Sequence, residues 1–259
     1  MVHEAVVVVA LMADAQGPFD FVLDTGADTT IVDPAVAKRL KLAPLGEVLQ
    51  STLVGAQALN CVAMRTLAAG SAEVTNLVVL VEDLRELRNL DGQIAGIAGQ
   101  DFLSHFNYVL DYRERSLRIE RGNELRDSIS GKRVAVEMRG KKMMVAAEVQ
   151  GQDRAKLRLI LDSGATSVVL LRVAAEAMHL GAYSNGQEIT GGGRMGLPVG
   201  RVHALRVGPH QFHEVVVALS GAEAGEQIGD GLLPTALFQK LFVNNRERFV
   251  VFNPREPNK

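Results

Sequence analysis

Phe21-Val-Leu-Asp-Thr-Gly-Ala27 and Leu159-Ile-Leu-Asp-Ser-Gly-Ala165 are one segment written twice. In each, an apolar strand runs into an aspartate, a small hydroxyl residue and a glycine. The offset between Asp24 and Asp162 is 138 residues. With no gap, the same offset lays Val7-Val8-Val9-Ala10-Leu11 over Val145-Ala146-Ala147-Glu148-Val149. A polar turn follows each of these earlier runs, Asp14 to Pro18 in the first copy and Gln150 to Asp153 in the second. Strand, turn and strand at that spacing predict a β-hairpin. Made twice, it predicts a chain built on an internal repeat.

The likeness continues downstream. Ile31-Val32 and Val168-Val169-Leu170-Leu171 read as short strands, and a short helix should follow each. The first begins at Asp33-Pro34, an N-cap residue with proline at the first helical position. The second covers about Arg172 to Leu180 and stops at Gly181. Gly96-Ile97-Ala98-Gly99-Gln100-Asp101-Phe102-Leu103 then matches Gly231-Leu232-Leu233-Pro234-Thr235-Ala236-Leu237-Phe238, with Pro234 where Gly99 predicts glycine. A short apolar helix and a hairpin close each copy. The hairpins share Arg-Glu-Arg, at 113–115 and 246–248, and end in Ser116–Ile119 and Phe249–Phe252. The polar stretch Glu120 to Lys132 reads as a connection. The expected organisation is one lobe over 1–121, a linker over 122–132 and a second lobe over 133–259. Val, Leu and Ile runs bounded by glycine make the expected class mostly β.

Composition bounds the possibilities. The chain has 259 residues, and 47% of them are hydrophobic, enough to fill two modest cores. The formal charge of −2 gives no reason to expect nucleic acid or an acidic membrane surface as partner. Cys61, the single cysteine, excludes a disulfide framework within the chain and reads as a buried structural thiol rather than a nucleophile. The apolar run Ala5 to Ala13 falls short of the ~20 residues that cross a bilayer. It imitates the apolar part of a signal peptide, but Met1-Val2-His3-Glu4 carries no positive charge, and the repeat makes the run a strand. Localisation stays open: exported if a leader has been removed, otherwise cytoplasmic.

An aspartate at the end of a buried strand is costly unless hydrogen bonds or a partner share its charge. Two such aspartates at equivalent positions of two repeats can meet across a pseudo-two-fold axis. Two carboxyls in one apolar cleft cannot both ionise easily, so one keeps a proton while the other is a base (the aspartic-protease dyad is the reference example).

Phe21-Val-Leu-Asp-Thr-Gly-Ala-Asp-Thr-Thr-Ile-Val32 resembles the active-site segment of retroviral-type aspartic proteases, and Leu159 to Val169 resembles it again. Gly96-Ile97-Ala98-Gly99 is similar to the segment that packs behind that turn in the family. Over nearly the whole chain the likeness is to bacterial single-chain, two-lobed retropepsin-like proteins. It implies a bilobal pepsin/retropepsin-like fold and an aspartic endopeptidase, in which Asp24 and Asp162 activate a water. It also implies that Thr25 and Ser163 brace the two turns across the lobes, and that Gly26 and Gly164 allow close backbone approach. Ala27, Asp28, Ala165 and Thr166 are the candidates for substrate contact, and because Thr166 cannot match the charge of Asp28 the cleft should be asymmetric. The expected substrate is an extended peptide or protein. No cofactor, metal or dimer is required by the chemistry. The expected first flap, about Leu49 to Met64, has no tyrosine, unlike pepsins, and no propeptide is evident. Two other classes stand beside the enzyme: a catalytically silent relative that binds peptides or a protein in the same cleft, and a structural or regulatory module.

Gly191-Gly192-Gly193-Arg194-Met195-Gly196 satisfies G-x-G-x-x-G, but Leu197-Pro198-Val199-Gly200 cannot begin the helix that a dinucleotide site needs. Its place in the repeat is that of the second flap. His203, His210 and His213 read as surface or turn residues, because no Cys or carboxylate completes a metal-ligand spacing. The arginines at 113, 115, 118 and 121 read as a solvated strand face.

Overall fold

The computed structural model describes residues 6–52, 55–89, 92–190, 193–221 and 229–255. Its first half contains the strands Val8–Ala13 (β1), Gln16–Leu23 (β2), Ile31–Val32 (β3), Ala43–Thr52 (β4), Gly55–Ala69 (β5), Ala72–Val81 (β6), Ile94–Ala98 (β7), Asn107–Asp111 (β8) and Ser116–Glu120 (β9). Helices Pro34–Leu40 (α1), Arg85–Arg88 (α2) and Gln100–Leu103 (α3) lie among them, and Glu124–Ser128 (α4) follows. The remainder contains Arg133–Ala135 (β10), Glu137–Arg139 (β11), Lys142–Gln150 (β12), Arg154–Asp162 (β13), Val168–Leu171 (β14), helix Arg172–Ala177 (α5), Ser184–Thr190 (β15), Gly193–Val207 (β16), His210–Ser220 (β17), Gly231–Pro234 (β18), Lys240–Asn244 (β19) and Phe249–Phe252 (β20). The fold is mostly β and bilobal.

Each lobe is a closed six-stranded barrel. The first runs β1-β2-β7-β3-β6-β5 and closes where β5 pairs with β1, Met12 opposite Ala68; β4 extends it along β5. The second runs β12-β13-β18-β14-β17-β16 and closes where β16 pairs with β12, Val149 opposite Leu205. There β15 extends the sheet along β16, as β4 does along β5. Closure removes the exposed edges that an open sheet of this size would carry.

The two hairpins of the repeat supply the walls that carry the aspartates. β1 and β2 are antiparallel, with Val8 opposite Val22; β12 and β13 repeat this, with Val145 opposite Leu159. The parallel partners β7 and β18 then lie against β2 and β13. All five residues of β7 and all four of β18 are buried, which suits continuous apolar runs covered on both faces.

The helix boundaries show local chemistry at work. The Asp33 carboxylate accepts from Ala35 N at 2.9 Å and caps α1, with Pro34 in its first turn. Lys41 (φ 54°) ends it. The second-lobe helix is shorter than its sequence predicts. It ends at Ala177, and His179 rather than Gly181 takes the left-handed position (φ 51°), with Leu180 N bonded to the Ala175 carbonyl.

A third sheet joins the halves in the order β10-β20-β19-β8-β9. Leu110 of β8 lies opposite Leu241 of β19, and Val109 opposite Phe242. The apolar interior is therefore not divided in two, as composition suggested. The main cluster runs from Leu11 and Leu23 through Tyr108 and Leu110 to Leu241 and Val250. Cys61 is buried, its thiol 3.4 Å from the Gly46 carbonyl oxygen. Among the described residues, no helix is long and apolar enough to cross a membrane.

Candidate active site

β2 and β13 end side by side and deliver Asp24 and Asp162, each about 5% exposed, into one buried spot. Their carboxyl groups are in mutual hydrogen-bonding reach. Backbone amides hold each one. Asp24 Oδ1 accepts from Gly26 N at 2.8 Å and from Ala27 N at 3.1 Å, and Asp162 Oδ1 accepts from Gly164 N at 2.8 Å. Strand β7 fixes the first turn through Asp24 N to the Ala98 carbonyl, 3.0 Å.

The hydroxyl residues cross between lobes. Thr25 Oγ1 donates to the Leu161 carbonyl and Ser163 Oγ to the Leu23 carbonyl, both at 2.7 Å. In return, Thr25 N donates to Ser163 Oγ and Ser163 N to Thr25 Oγ1, both at 3.0 Å. The glycines are needed for approach rather than for dihedral freedom. A Cβ on Gly26 would fall 2.6 Å from Asp162 Cγ, and one on Gly164 would fall 2.7 Å from Asp24 Cγ. Each turn thus packs against the carboxyl of the other.

Burial pushes both carboxyls above the usual carboxylate range, and Asp162 is raised further by the negative charge of Asp24 beside it. Such a pair keeps one proton over a range in which separate aspartates would have lost theirs.

The residues flanking the motifs are placed unequally. Asp28 is about half-exposed and ion-paired with Lys142, 3.3 Å away, whose ammonium also donates to the Gly26 carbonyl. Ala27 is half-buried and packs at the edge of the Val22–Ile31–Ile97 cluster. Thr166 is half-buried, whereas Ala165 is fully buried in a cluster with Val169 and Leu197, the latter on the β15–β16 hairpin. Asp28 and Thr166 thus differ in charge, and Ala27 and Ala165 differ in burial.

Behind the turns the two halves are built from different chemistry. In the first, Thr30 Oγ1 donates to Asp101 Oδ1 at 2.7 Å and accepts from Gly99 N at 3.3 Å. Thr30 N donates to the Asp101 carboxylate at 2.9 Å. Burial raises the Asp101 pKa although these bonds pull it down. The same positions in the second half are Val168, Pro234 and Ala236. Hydroxyl, amide donor and carboxylate have been replaced together, so Pro234 disrupts nothing: Val168 presents no oxygen for the missing N–H to meet. Pro234 pairs with Asp162 in the parallel β13–β18 ladder.

Gln100 and Thr235 occupy the next matching position. The Gln100 side-chain amide donates to the Thr25 carbonyl at 2.9 Å. Thr235 is too short for that reach, and its hydroxyl instead bonds Tyr112 Oη. Burial raises the Tyr112 pKa, and the charges of Asp162 and Asp24 nearby raise it further.

Lys142, Gln100 and Tyr112 were not legible as site residues. Gln100 and Thr235 lie within the matched closing segments but carry no distinctive motif. The one signal for Lys142 was a Lys-Lys pair heading β12, the first strand of the hairpin that ends at Asp162.

The glycine-rich segment forms part of the β15–β16 hairpin, with Gly191 and Gly192 outside the described residues. No helix follows it, as a dinucleotide loop would require. His210 is not a turn residue. It opens β17 and packs edge-on against Phe238 and Phe252. His203 lies 3.3 Å from Glu214, and His213 3.2 Å from Gln211. Among the described residues, no three His, Cys, Asp or Glu side chains cluster as a metal site would need.

A family model described as aspartyl protease matches residues 9–102 and 145–235. Among solved structures, the chain is similar to the EIAV protease complexed with the inhibitor HBY-793. The identity is 21%, covering 37% of this chain and 83% of that one, with a TM-score of 0.30. It is similar also to a retropepsin-like aspartic protease from Rickettsia conorii, at 19% identity over 38% of this chain and 68% of that one, with a TM-score of 0.27. No curated protein matches the sequence.

Proposed function

The chain belongs to the aspartyl protease family, and from that membership we propose that it is an endopeptidase whose Asp24 and Asp162 share one proton and activate a water. The observation that carries the reading is the reciprocal Thr25–Ser163 bracing, which holds two buried carboxyls within hydrogen-bonding reach. Hydrogen bonding and burial favour a singly protonated pair, the state that general acid–base hydrolysis requires.

In the proposed reaction, the ionised carboxylate takes a proton from the water as its oxygen attacks the peptide carbonyl carbon. The protonated carboxyl gives its proton to the carbonyl oxygen. As the tetrahedral gem-diol collapses, one hydroxyl returns its proton to the ionised carboxyl and re-forms C=O. The C–N bond breaks, and the leaving nitrogen takes the proton of the other carboxyl. No covalent enzyme adduct forms. Both carboxyls come from one chain, so a second copy is not needed to assemble them. An extended peptide would lie between the β4–β5 and β15–β16 hairpins and bind by strand-like backbone hydrogen bonds.

Mass-spectrometric analysis of a mixed peptide library at about pH 3 to 7 tests this reading. Wild type is compared with Asp24→Asn and Asp162→Asn. Cleavage lost in both variants is the expected result. Cleavage that survives in either one points to another catalytic group or a contaminant. A folded wild type that cuts nothing at any pH favours the silent peptide-binding relative.

A further inference from the structure

The two carboxyls are equivalent in sequence but not in surroundings. Lys142 opens β12 in the second barrel and reaches across to the first turn, where its ammonium donates to the Gly26 carbonyl. That carbonyl belongs to the peptide group whose other end is Ala27 N–H, the donor to Asp24 Oδ1 at 3.1 Å. A cation on the oxygen of a peptide strengthens the hydrogen bond made by its N–H. Lys142, the Gly26–Ala27 peptide and the Asp24 carboxylate therefore form a polarised chain. Asp24 receives a second amide directly from Gly26, whereas the matching turn gives Asp162 the amide of Gly164. The offset that superimposes the aspartates pairs Lys142 with Glu4 and Asp28 with Thr166. The sequence thus provides no mirror image of the Lys142–Asp28 pair.

We propose that Lys142 is a positioning residue that breaks the symmetry of the pair, so that Asp24 carries the negative charge and Asp162 the proton. If the pair hydrolyses peptides as proposed above, Asp24 is the base that takes the water proton and Asp162 the acid that protonates the carbonyl.

The other titratable groups near the pair do not reverse this order. Asp28 faces Lys142 through its buried Oδ1, while the rest of its side chain is half-exposed, so water screens part of its charge. Tyr112 stands behind the second turn as a neutral phenol. Asp101 lies behind the first turn, bonded to Thr30 and within the field of Lys141. Burial raises both carboxyls, the charge of Asp24 raises Asp162 further, and Lys142 leads the causes that pull Asp24 down.

Carbon-13 NMR of the aspartate side-chain carboxyls tests the assignment without any turnover. Resonances are assigned with Asp24→Asn and Asp162→Asn and followed from about pH 3 to 8. In wild type, Asp24 is expected to reach its carboxylate position while Asp162 remains at the carboxylic-acid position. In Lys142→Met the two signals should converge, and in Lys142→Arg they should stay apart. Equal or reversed positions in wild type overturn the proposal, and so does a Lys142→Met spectrum unchanged from wild type. If the wild type cleaves peptides, Lys142→Met should lower kcat/KM about tenfold on the acid side of the profile, with Lys142→Arg close to wild type. Equal or reversed positions in the wild-type spectrum overturn the proposal even if Lys142→Met folds poorly. A protein that cleaves nothing would end the hydrolytic reading while leaving the order of the carboxyls still measurable.

Discussion

Thr25 and Ser163 hold each other: the amide of each donates to the hydroxyl oxygen of the other at 3.0 Å. Each hydroxyl then donates at 2.7 Å to a carbonyl of the opposite strand, of Leu161 or of Leu23. Neither residue has another way to satisfy its groups at this depth, since both are fully buried.

Removing either hydroxyl therefore leaves one amide and one carbonyl unpaired in the interior. Thr25→Val and Ser163→Ala should each destabilise the fold by about 1–3 kcal/mol, the range for unsatisfied buried groups. The local geometry is symmetric, so the two losses should agree within about 0.5 kcal/mol. Thr25→Ser should cost much less. Urea unfolding midpoints give all three values, and a loss confined to one lobe would contradict the symmetric account.

Gly26→Ala and Gly164→Ala should damage the opposite aspartate rather than the neighbouring one. The added Cβ of Gly26→Ala would lie 2.6 Å from Asp162 Cγ, and that of Gly164→Ala 2.7 Å from Asp24 Cγ. The carboxyl must move, and displacements of this size can cost ~10²-fold in turnover. We expect at least that loss in peptide cleavage while the far-ultraviolet circular dichroism stays near wild type. Cleavage within a few-fold of wild type would show that the turns have room to adjust.

The sequence placed the two hairpins and both aspartates because the repeat preserves them without a gap. It predicted the start of α1 because Asp33-Pro34 is local chemistry. The end of α5 was misread at Gly181, since His179 takes the left-handed turn that glycine usually supplies. The interlobe sheet was not legible, because the pairing of Leu110 with Leu241 is long-range and leaves no periodic trace. Lys142 was missed for the same reason: its partners Gly26 and Asp28 lie in the other lobe. Pro234 stood out as a departure from the glycine that Gly99 predicts, because its compensation, Val168 in place of Thr30, is visible only when the residues behind both turns are compared in space.

That compensation can be tested in the first lobe. Thr30→Val strips a donor and an acceptor from Asp101 and Gly99 and should destabilise by about 1–3 kcal/mol. Adding Asp101→Ala reproduces two of the three second-lobe residues and removes the stranded carboxylate. The double variant should be less destabilised than the sum of the two single ones, by at least about 0.5 kcal/mol. Additive losses in urea unfolding would mean that the polar trio does not act as a unit.

The same burial that raises the carboxyls makes the fold depend on pH. A carboxyl whose folded pKa lies above its unfolded value binds its proton more tightly when folded. Its contribution to stability is fully present below the unfolded pKa, about 4, and is lost as pH rises through the folded one. Asp24 and Asp162 are both of this kind. Asp111 works in the opposite sense. Burial pushes it up, but its bonds to Lys240 and to the Glu114 amide outweigh that and bring it below its ordinary value, so its contribution is lost on the acid side. Asp162→Asn removes one titrating carboxyl from the pair but leaves Asp111 untouched, so Asp111 cancels from the difference. The variant should match wild type within about 0.5 kcal/mol near pH 3. It should then become the more stable of the two as pH rises, by up to about 1.4 kcal/mol for each pH unit between the unfolded and folded titrations. Urea midpoints measured in pH steps would show this. A difference that stays flat with pH would mean that the pair is hydrated well enough to ionise without cost.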